Sequence, residues 1–305
     1  MFTLKQLRYA AALAETCHFG RAAALCHVTQ SALSQQMRLL EDACGTPLFD
    51  RRGKTVEPTP FGREFLDRTA KLLAAAEDLD GFAAARGGVP ARPLRFGLIP
   101  TVAPYLLPDI FPLLRRGFPS LDFAVSESRT DTLLAGLYDN SLDLALVATP
   151  PPADRPRLAV ATLFDDAFVL ASCRQEAVTE PVRLSSLERD RILLLDEGHC
   201  LRDQALAACG LKADGGRSSF AATSLSTIVE FVANGQGVTL LPEIALRKEA
   251  ADARIQISRL AAPGAARTLS LVWRDASPFA VIFTEIAATI RSARTIGSMR
   301  PPISS

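Results

Sequence analysis

The spacing of apolar residues changes character once along the chain, near residue 90. Before that point it is helical. Thr3-Leu4-Lys5-Gln6 is a capping box opening a helix with Leu7, Ala10, Ala11 and Ala14 on one face. Phe19-Gly20 is expected to break that helix, and Arg21–Cys26 to form a second one of small residues. Thr29 can N-cap a third, from Gln30 to about Asp42, whose core stripe is Leu33, Met37 and Leu40 at i, i+4 and i+7. A basic turn of hairpin length follows, Pro47–Val56. Thr59-Pro60 then starts a helix running to about Arg86, roughly 40 Å long at about 1.5 Å per residue. Phe65, Leu72 and Leu79 recur along it every seven residues, with Leu66 and Leu73 alongside, which suits a helix that pairs with a partner.

Gly87-Gly88-Val89-Pro90-Ala91-Arg92-Pro93 cannot continue that helix and marks a domain boundary. Beyond it, short apolar runs alternate with helical patterns. Strands are expected at 94–99, 121–127, 142–148, 158–163, 167–172, 192–195, 237–241 and 267–273. Helices are expected at 104–116, 131–139, 200–209, 224–234 and 278–296. The alternation predicts an α/β domain with largely parallel sheets. No internal repeat or low-complexity tract is evident, and the tail after Met299 is expected to be disordered.

Composition narrows the classes. The 305 residues are 48% hydrophobic and 22% charged, with net charge +1, so bulk electrostatics single out no partner. No run reaches the 18 or so apolar residues of a spanning helix, and the N-terminus lacks the apolar stretch of a signal peptide. A cytoplasmic, bacterial-like setting is the expectation, with no membrane partner. Thiols are normally reduced there. The six cysteines are then no structural framework, and any disulfide among them would be transient and regulatory.

Two regions carry candidate chemistry. On the third helix Gln30, Ser31, Ser34, Gln35 and Arg38 lie off the core stripe. Gln pairs bidentately with adenine and Arg with guanine in a major groove. Ala22, Ala23 and Ala24 allow the close helix approach of a helix-turn-helix, and Arg51, Arg52 and Lys54 suit phosphates or a minor groove. Each feature alone is ordinary solvated surface; their order along the chain is more specific. The second region is Cys200 and Cys209, nine residues apart on a predicted helix, with His199 and Arg202 beside the first. A helical rise separates their Cα atoms by roughly 13 Å, against the roughly 4.4–6.8 Å of a disulfide. Joining them requires unwinding the helix between. The competing reading is two small hydrophobes on a packed helix.

The order of these elements resembles the LysR-type transcriptional regulators. The resemblance is carried by Phe19-Gly20-Arg21-Ala22-Ala23, Val28–Gln36, Leu39-Leu40-Glu41, Gly45–Phe49 and Thr59-Pro60-Phe61-Gly62, and it spans the whole chain. It implies an N-terminal all-α winged helix-turn-helix at 1–58, a dimerising linker helix at 59–88 and a hinge at 89–93. A two-lobed, periplasmic-binding-protein-like α/β effector domain follows at 94–300. Its lobe I would comprise about 94–163 and 266–300, and lobe II about 164–265. It also implies a dimer, or a dimer of dimers giving a homotetramer, on double-stranded promoter DNA, acting as an activator with RNA polymerase. A two-fold dimer would place two recognition helices in successive major grooves.

Within that family the run Gly198–Ala205 followed by Cys209 looks like the hydrogen-peroxide-sensing OxyR branch. That resemblance implies a peroxidatic Cys200, a resolving Cys209, hydrogen peroxide as effector and a disulfide-reducing system as partner. Neighbouring His or Arg and a helix N-terminus favour a thiolate, and His199, Arg202 and the helix start are the candidates; a satisfied structural histidine is the other reading of His199. Thr101 and Thr130 each follow a strand and precede a helix, so either is a helix cap or, as the resemblance implies, a hydroxyl orienting peroxide. Arg274 matches a family arginine that stabilises the thiolate; a surface arginine after a strand is the other view. Cys17, Cys26, Cys44 and Cys173 read as packing residues, since Cys17 and Cys26 with His18 and His27 match no common zinc spacing. Ser224 reads as a helix cap. No cofactor, metal or enzymatic turnover is expected. A regulator answering a small metabolite with redox-inert cysteines is the alternative. A thiol peroxidase or solute-binding protein sharing only the α/β half is a third reading, opposed by the first 90 residues. Asp139–Asp143 lacks a glycine often found in the family turn, and Gly210–Ala213 departs where close relatives vary.

Overall fold

The computed structural model describes residues 1–52, 55–84, 90, 92–151, 157–176, 178–211 and 222–295. The chain divides into two compact units, Met1–Ala84 with Asp139–Ser141, and Ala85–Tyr138 with Leu142–Ser305.

In the first unit α1 spans Leu4–Thr16, α2 Phe19–Leu25, α3 Gln30–Cys44 and α4 Pro60–Ala84. The capping box is present: the Thr3 hydroxyl accepts from the Gln6 N–H at 3.3 Å, and the Gln6 side chain accepts from the Thr3 N–H at 2.8 Å. α1 ends earlier than Phe19-Gly20, at Cys17, whose φ of +49° is left-handed. His18 then caps α2 by accepting from the Gly20 and Arg21 N–H groups, so Phe19-Gly20 begins a helix instead of breaking one. An imidazole is not among the usual N-cap residues, so the sequence pattern does not mark His18 as a helix start. Strands β1 (Phe49–Arg52) and β2 (Thr55–Pro58) pair antiparallel as the wing. One Glu41 carboxylate oxygen accepts from the Leu48 and Phe49 N–H groups, tying α3 to that wing. The Thr59 hydroxyl donates to the Pro47 carbonyl at 3.0 Å and accepts from the Gly62 N–H at 2.9 Å. A methyl at Gly62 would lie 1.9 Å from the Leu48 carbonyl oxygen, so glycine is required there.

The second unit has β3 (Leu94–Leu98), α5 (Ala103–Gly117), β4 (Phe123–Glu127), α6 (Thr130–Tyr138), β5 (Leu144–Val147) and β6 (Leu158–Cys173). Then come α7 (Cys200–Ala208), α8 (Leu225–Ala233), β7 (Thr239–Pro242), α9 (Leu246–Glu249), β8 (Ile255–Arg259), β9 (Ala266–Arg274) and α10 (Ala280–Thr295). Strand order is β4-β3-β5-β9-β6-β7, with β8 also on β6. Two core clusters form, one around Phe96, Leu98, Leu146, Leu271 and Phe283, the other around Leu170, Ile228, Val232 and Leu241. They are the two lobes. β6 serves both: residues from Leu158 to Ala167 pair with β9, and from Phe168 onward with β7 and β8.

The sheets are not largely parallel. β3 pairs parallel with β4 and β5, whereas β5–β9, β6–β9, β6–β7 and β6–β8 are antiparallel. Hydrophobic alternation carries no strand direction, and β6 and β9 cross between lobes without intervening βαβ units. The expected strands at 158–163 and 167–172 are one strand with a register shift between Thr162 and Phe164. Residues 192–195 form only isolated bridges, from Ile192 to Val238 and from Leu195 to Ala222. β8 was missed because the buried Ser258 sits among its inward positions. The hinge expected at 89–93, the wing tip with Lys54 and the tail fall wholly or partly outside the described residues.

Candidate redox switch and nucleic-acid interface

α7 is built to sit between two surfaces. At about 100° per residue, nine residues turn through two and a half revolutions, so Cys200 and Cys209 face opposite ways. The packing agrees: half-buried Cys200 lies against the first lobe's cluster, while Leu201, Ala205, Ala208 and Cys209 belong with the second. Cys200 is the first residue of the helix, at its electropositive end. Cys209 is the C-cap, its N–H bonded to the Ala205 carbonyl. Burial pushes the Cys209 thiol up, so it is protonated at neutral pH.

The loops that meet α7 share one location. β3, β4 and β5 run parallel and end at Leu98, Glu127 and Val147. Just past β5, the Ala148 carbonyl accepts from Gln204 Nε2 at 2.8 Å. Just past β4, Arg129 lies against Gly198. Just past β3 stands Thr101. In α/β sheets this carboxyl edge is where ligands bind. Two buried polar atoms there, Thr130 Oγ1 and Gln204 Oε1, have no hydrogen-bond partner among the described residues.

Thr101 is not a helix cap: α5 is capped at Val102 without a side-chain bond. Instead its hydroxyl accepts from Arg267 Nη1 at 2.9 Å, and its carbonyl from Nη2 at 3.0 Å. Arg267 also donates through Nε to Asp166 at 3.0 Å, with both side chains fully buried. Asp166 accepts from the Ile244 N–H, extending the network into the second lobe. The sequence reading missed Arg267, Asp166 and Gln204. The available signal was a charge at position 267 in phase with Leu269 and Leu271 on β9.

Arg274 does not stand where the family resemblance placed it. β9 runs antiparallel to β5, with Leu144 opposite Trp273 and Val147 opposite Ser270, which puts Arg274 at the amino edge of the parallel strands. Its guanidinium donates to the Leu137 and Leu142 carbonyls at 3.1 and 2.8 Å and lies 3.9 Å from Asp143. Seven residues of strand, about 23 Å, separate it from Arg267. It does not reach the Cys200 side. The two arginines sit on one strand seven apart, and only the register distinguishes them. Around Asp143, burial would raise the carboxyl, but hydrogen bonds from Arg92 and Arg95 win and hold it low.

His199 makes no cap bond at the start of α7 and is buried. Burial first, then the Arg129 charge, lower its pKa against the opposing pull of Asp196. It is therefore a neutral imidazole at neutral pH. Arg202 donates to the Leu195 carbonyl at 3.1 Å, bracing the segment leading into the helix. The lobes are pinned elsewhere: the buried Tyr105 hydroxyl donates to Glu249 at 2.7 Å, and Arg247 meets Asp109 at 3.0 Å. No cluster of three or more metal-ligating side chains occurs among the described residues.

In the first unit α3 is capped by the Thr29 hydroxyl and closed by a left-handed Gly45. Leu33, Met37 and Leu40 are buried, leaving Gln30, Ser31, Gln35 and Arg38 exposed and Ser34 half-buried. Arg51 and Arg52 lie on β1, with side chains outside the description, and Lys54 lies outside the described residues.

Residues 4–63 match the family described as the bacterial regulatory helix-turn-helix protein, lysR family. Residues 87–288 match the LysR substrate binding domain. The chain belongs to the LysR family, in its OxyR branch. It is 38% identical to a hydrogen peroxide-inducible genes activator of Dickeya chrysanthemi, over 94% of each chain. It is 37% identical to the DNA-binding transcriptional dual regulator OxyR of Escherichia coli K12, over 95% of each. A full-length OxyR from Pseudomonas aeruginosa, with a cysteine-to-aspartate change, superposes with TM-score 0.73 at 32% identity, covering 95% of this chain and 98% of that one. A cysteine-to-serine OxyR from Corynebacterium glutamicum with hydrogen peroxide bound gives 0.65 at 32%, covering 97% and 94%.

Proposed function

We propose that this protein is a peroxide-responsive transcription factor in which Cys200 reacts with hydrogen peroxide and Cys209 resolves the product. The observation that carries the reading is the placement of two thiols at opposite ends and on opposite faces of one short helix. A disulfide between them cannot form without unwinding α7. In the first step Cys200 takes an oxygen atom from peroxide, giving a sulfenic acid and water; in the second the Cys209 sulfur displaces hydroxide, giving the disulfide and a second water. Thr101, Thr130 and Gln204 supply hydroxyl and amide groups suited to a molecule with two O–H donors. Arg267 takes the role first assigned to Arg274, through its bonds to Thr101. Arg202 braces the segment entering α7, and His199, neutral at neutral pH, adds no cation beside Cys200.

Loss of α7 frees a strip of each lobe and changes how subunits pack, a coupling with a named two-state element. α4 serves as the dimerising linker helix, with Leu72 and Leu79 about half and two-thirds exposed. An open apolar groove of about 530 Å³ along α5 and β4, lined by Pro104, Leu107, Pro108 and Phe111, offers a second surface to another copy of the chain. The α3 residues Gln30, Ser31, Ser34, Gln35 and Arg38 read promoter DNA, and Arg51, Arg52 and Lys54 hold its backbone. RNA polymerase and a disulfide-reducing system complete the cycle. No helix among the described residues is long and apolar enough to cross a membrane, which fits a cytoplasmic site of action. Promoter footprinting with and without peroxide tests the proposal. The footprint should change on oxidation in the wild type and not in Cys200→Ser; an oxidant-independent footprint in both would leave a metabolite-responsive regulator with inert cysteines.

A further inference from the structure

Among the contacts that the segment entering α7 makes with the first lobe, one involves none of Thr101, Thr130 and Gln204. Arg129 ends the β4–α6 connection, and its side chain occupies the space where Gly198 would carry a Cβ. A methyl built there would lie 2.7 Å from Nη1, 3.1 Å from Cζ and 3.3 Å from Cδ. The Arg129 side chain thus packs closely against the backbone two residues before Cys200. Gly198 is held at φ +87°, a left-handed conformation that only glycine adopts without strain. Among the described residues this guanidinium has no ion pair or side-chain hydrogen bond, so its packing on Gly198 is its principal engagement. His199 feels the same charge.

We propose that Arg129 is a positioning residue that latches the first turn of α7 in its folded form and so governs how fast Cys200 and Cys209 join after oxidation. The inference rests on the Cys200–Cys209 reading above. It concerns the second chemical step, Cys200–SOH plus Cys209–SH giving the disulfide plus water, with hydrogen peroxide having supplied the oxygen in the first. The second step needs the segment containing Gly198, Cys200 and Gln204 to leave the first lobe. The Gln204 bond to Ala148 and the Arg129 contact must both break before the sulfurs can meet. A contact made in the reduced fold and lost before closure slows closure when present. It also stabilises the dithiol form, making the disulfide easier to reduce.

The test uses full-length protein and separates the two steps. Sulfenic-acid formation is timed by dimedone trapping in a Cys209→Ser background, and disulfide formation by acid quenching and non-reducing peptide mapping with Cys209 present. Arg129→Ala should close roughly three- to tenfold faster than wild type, with sulfenic-acid formation unchanged. Its dithiol–disulfide equilibrium against dithiothreitol should shift toward the disulfide by up to about tenfold, about 30 mV more negative. Arg129→Lys keeps the charge but not the planar group, and should behave like Arg129→Ala. Gly198→Ala displaces the guanidinium from the other side, so removing Arg129 in that background should add no further acceleration. Equal closure rates in wild type, Arg129→Ala and Arg129→Lys would overturn the latch alone. So would a wild-type rate in Arg129→Lys, or additive effects of the Arg129 and Gly198 changes. Absence of any Cys200–Cys209 linkage in peroxide-treated wild type would overturn the parent reading, and the latch with it.

Discussion

α3 and α7 are both short helices that carry candidate function, and they are stabilised in opposite ways. α3 has fifteen residues, a side-chain N-cap from Thr29, a left-handed Gly45 at its end, and one buried stripe packed into one core. α7 has nine residues, no side-chain cap from His199, and packing divided between two lobes. Helices below about 12–15 residues are marginal without tertiary support. α3 receives that support from one side and from its own ends. α7 depends on both lobes staying in place, and Tyr105–Glu249 and Arg247–Asp109 keep them there. A helix that reads base edges must present a fixed face, whereas a helix that reports a reaction must be able to come apart. Length, end chemistry and the division of packing together separate these two roles.

The largest way to sharpen the contrast is to truncate the matching leucines. Leu33→Ala in α3 should cost about 3 kcal/mol of the first unit's stability, read by chemical denaturation, and abolish DNA binding while Cys200 still reacts with peroxide. Leu201→Ala in α7 should instead loosen one helix, appearing as faster amide exchange at 200–208 and faster disulfide closure. A matching global loss in both variants would erase the distinction.

A smaller effect comes from the caps. Thr29→Ala should destabilise by about 1 kcal/mol. His199→Ser installs the cap that α7 lacks and should slow disulfide closure by several-fold, measured by quenched peptide mapping. If closure were unaffected, unwinding of the first turn would not limit it.

The smallest effect is on pH. His199 has a lowered pKa in the folded chain, so the fold binds fewer protons than the unfolded state, and stability falls as pH drops through the unfolded histidine value of about 6.5. Cys209 has a raised pKa, so the fold retains its proton, and stability falls as pH rises past the free-thiol value of about 8.5. α7 should therefore be tightest between these limits. Amide exchange within it, corrected for intrinsic rates, should show a minimum near neutrality, and His199→Ala should flatten the acid arm.

The legible part of the molecule follows from local chemistry. The capping box at Thr3, the caps at Thr29 and Ser224, the hairpin before Thr59 and the helix between the two cysteines each depend on a few consecutive residues. His18 as a cap and the buried Ser258 in β8 escaped because an unusual residue served an ordinary role.

By itself the amino-acid order determined most of the helices, several of the strands, and that Cys200 and Cys209 cannot join along an intact helix. Only the tertiary structure decided that β6 and β9 cross between lobes, that α7 lies on the carboxyl edge of β3, β4 and β5, and that Arg267 faces this site while Arg274 does not. Local propensity acts over a few residues and states what a segment becomes. Strand direction and register join residues up to 166 positions apart, as in the Arg267–Thr101 bond, and no short-range pattern encodes which of two arginines seven residues apart will meet its partner.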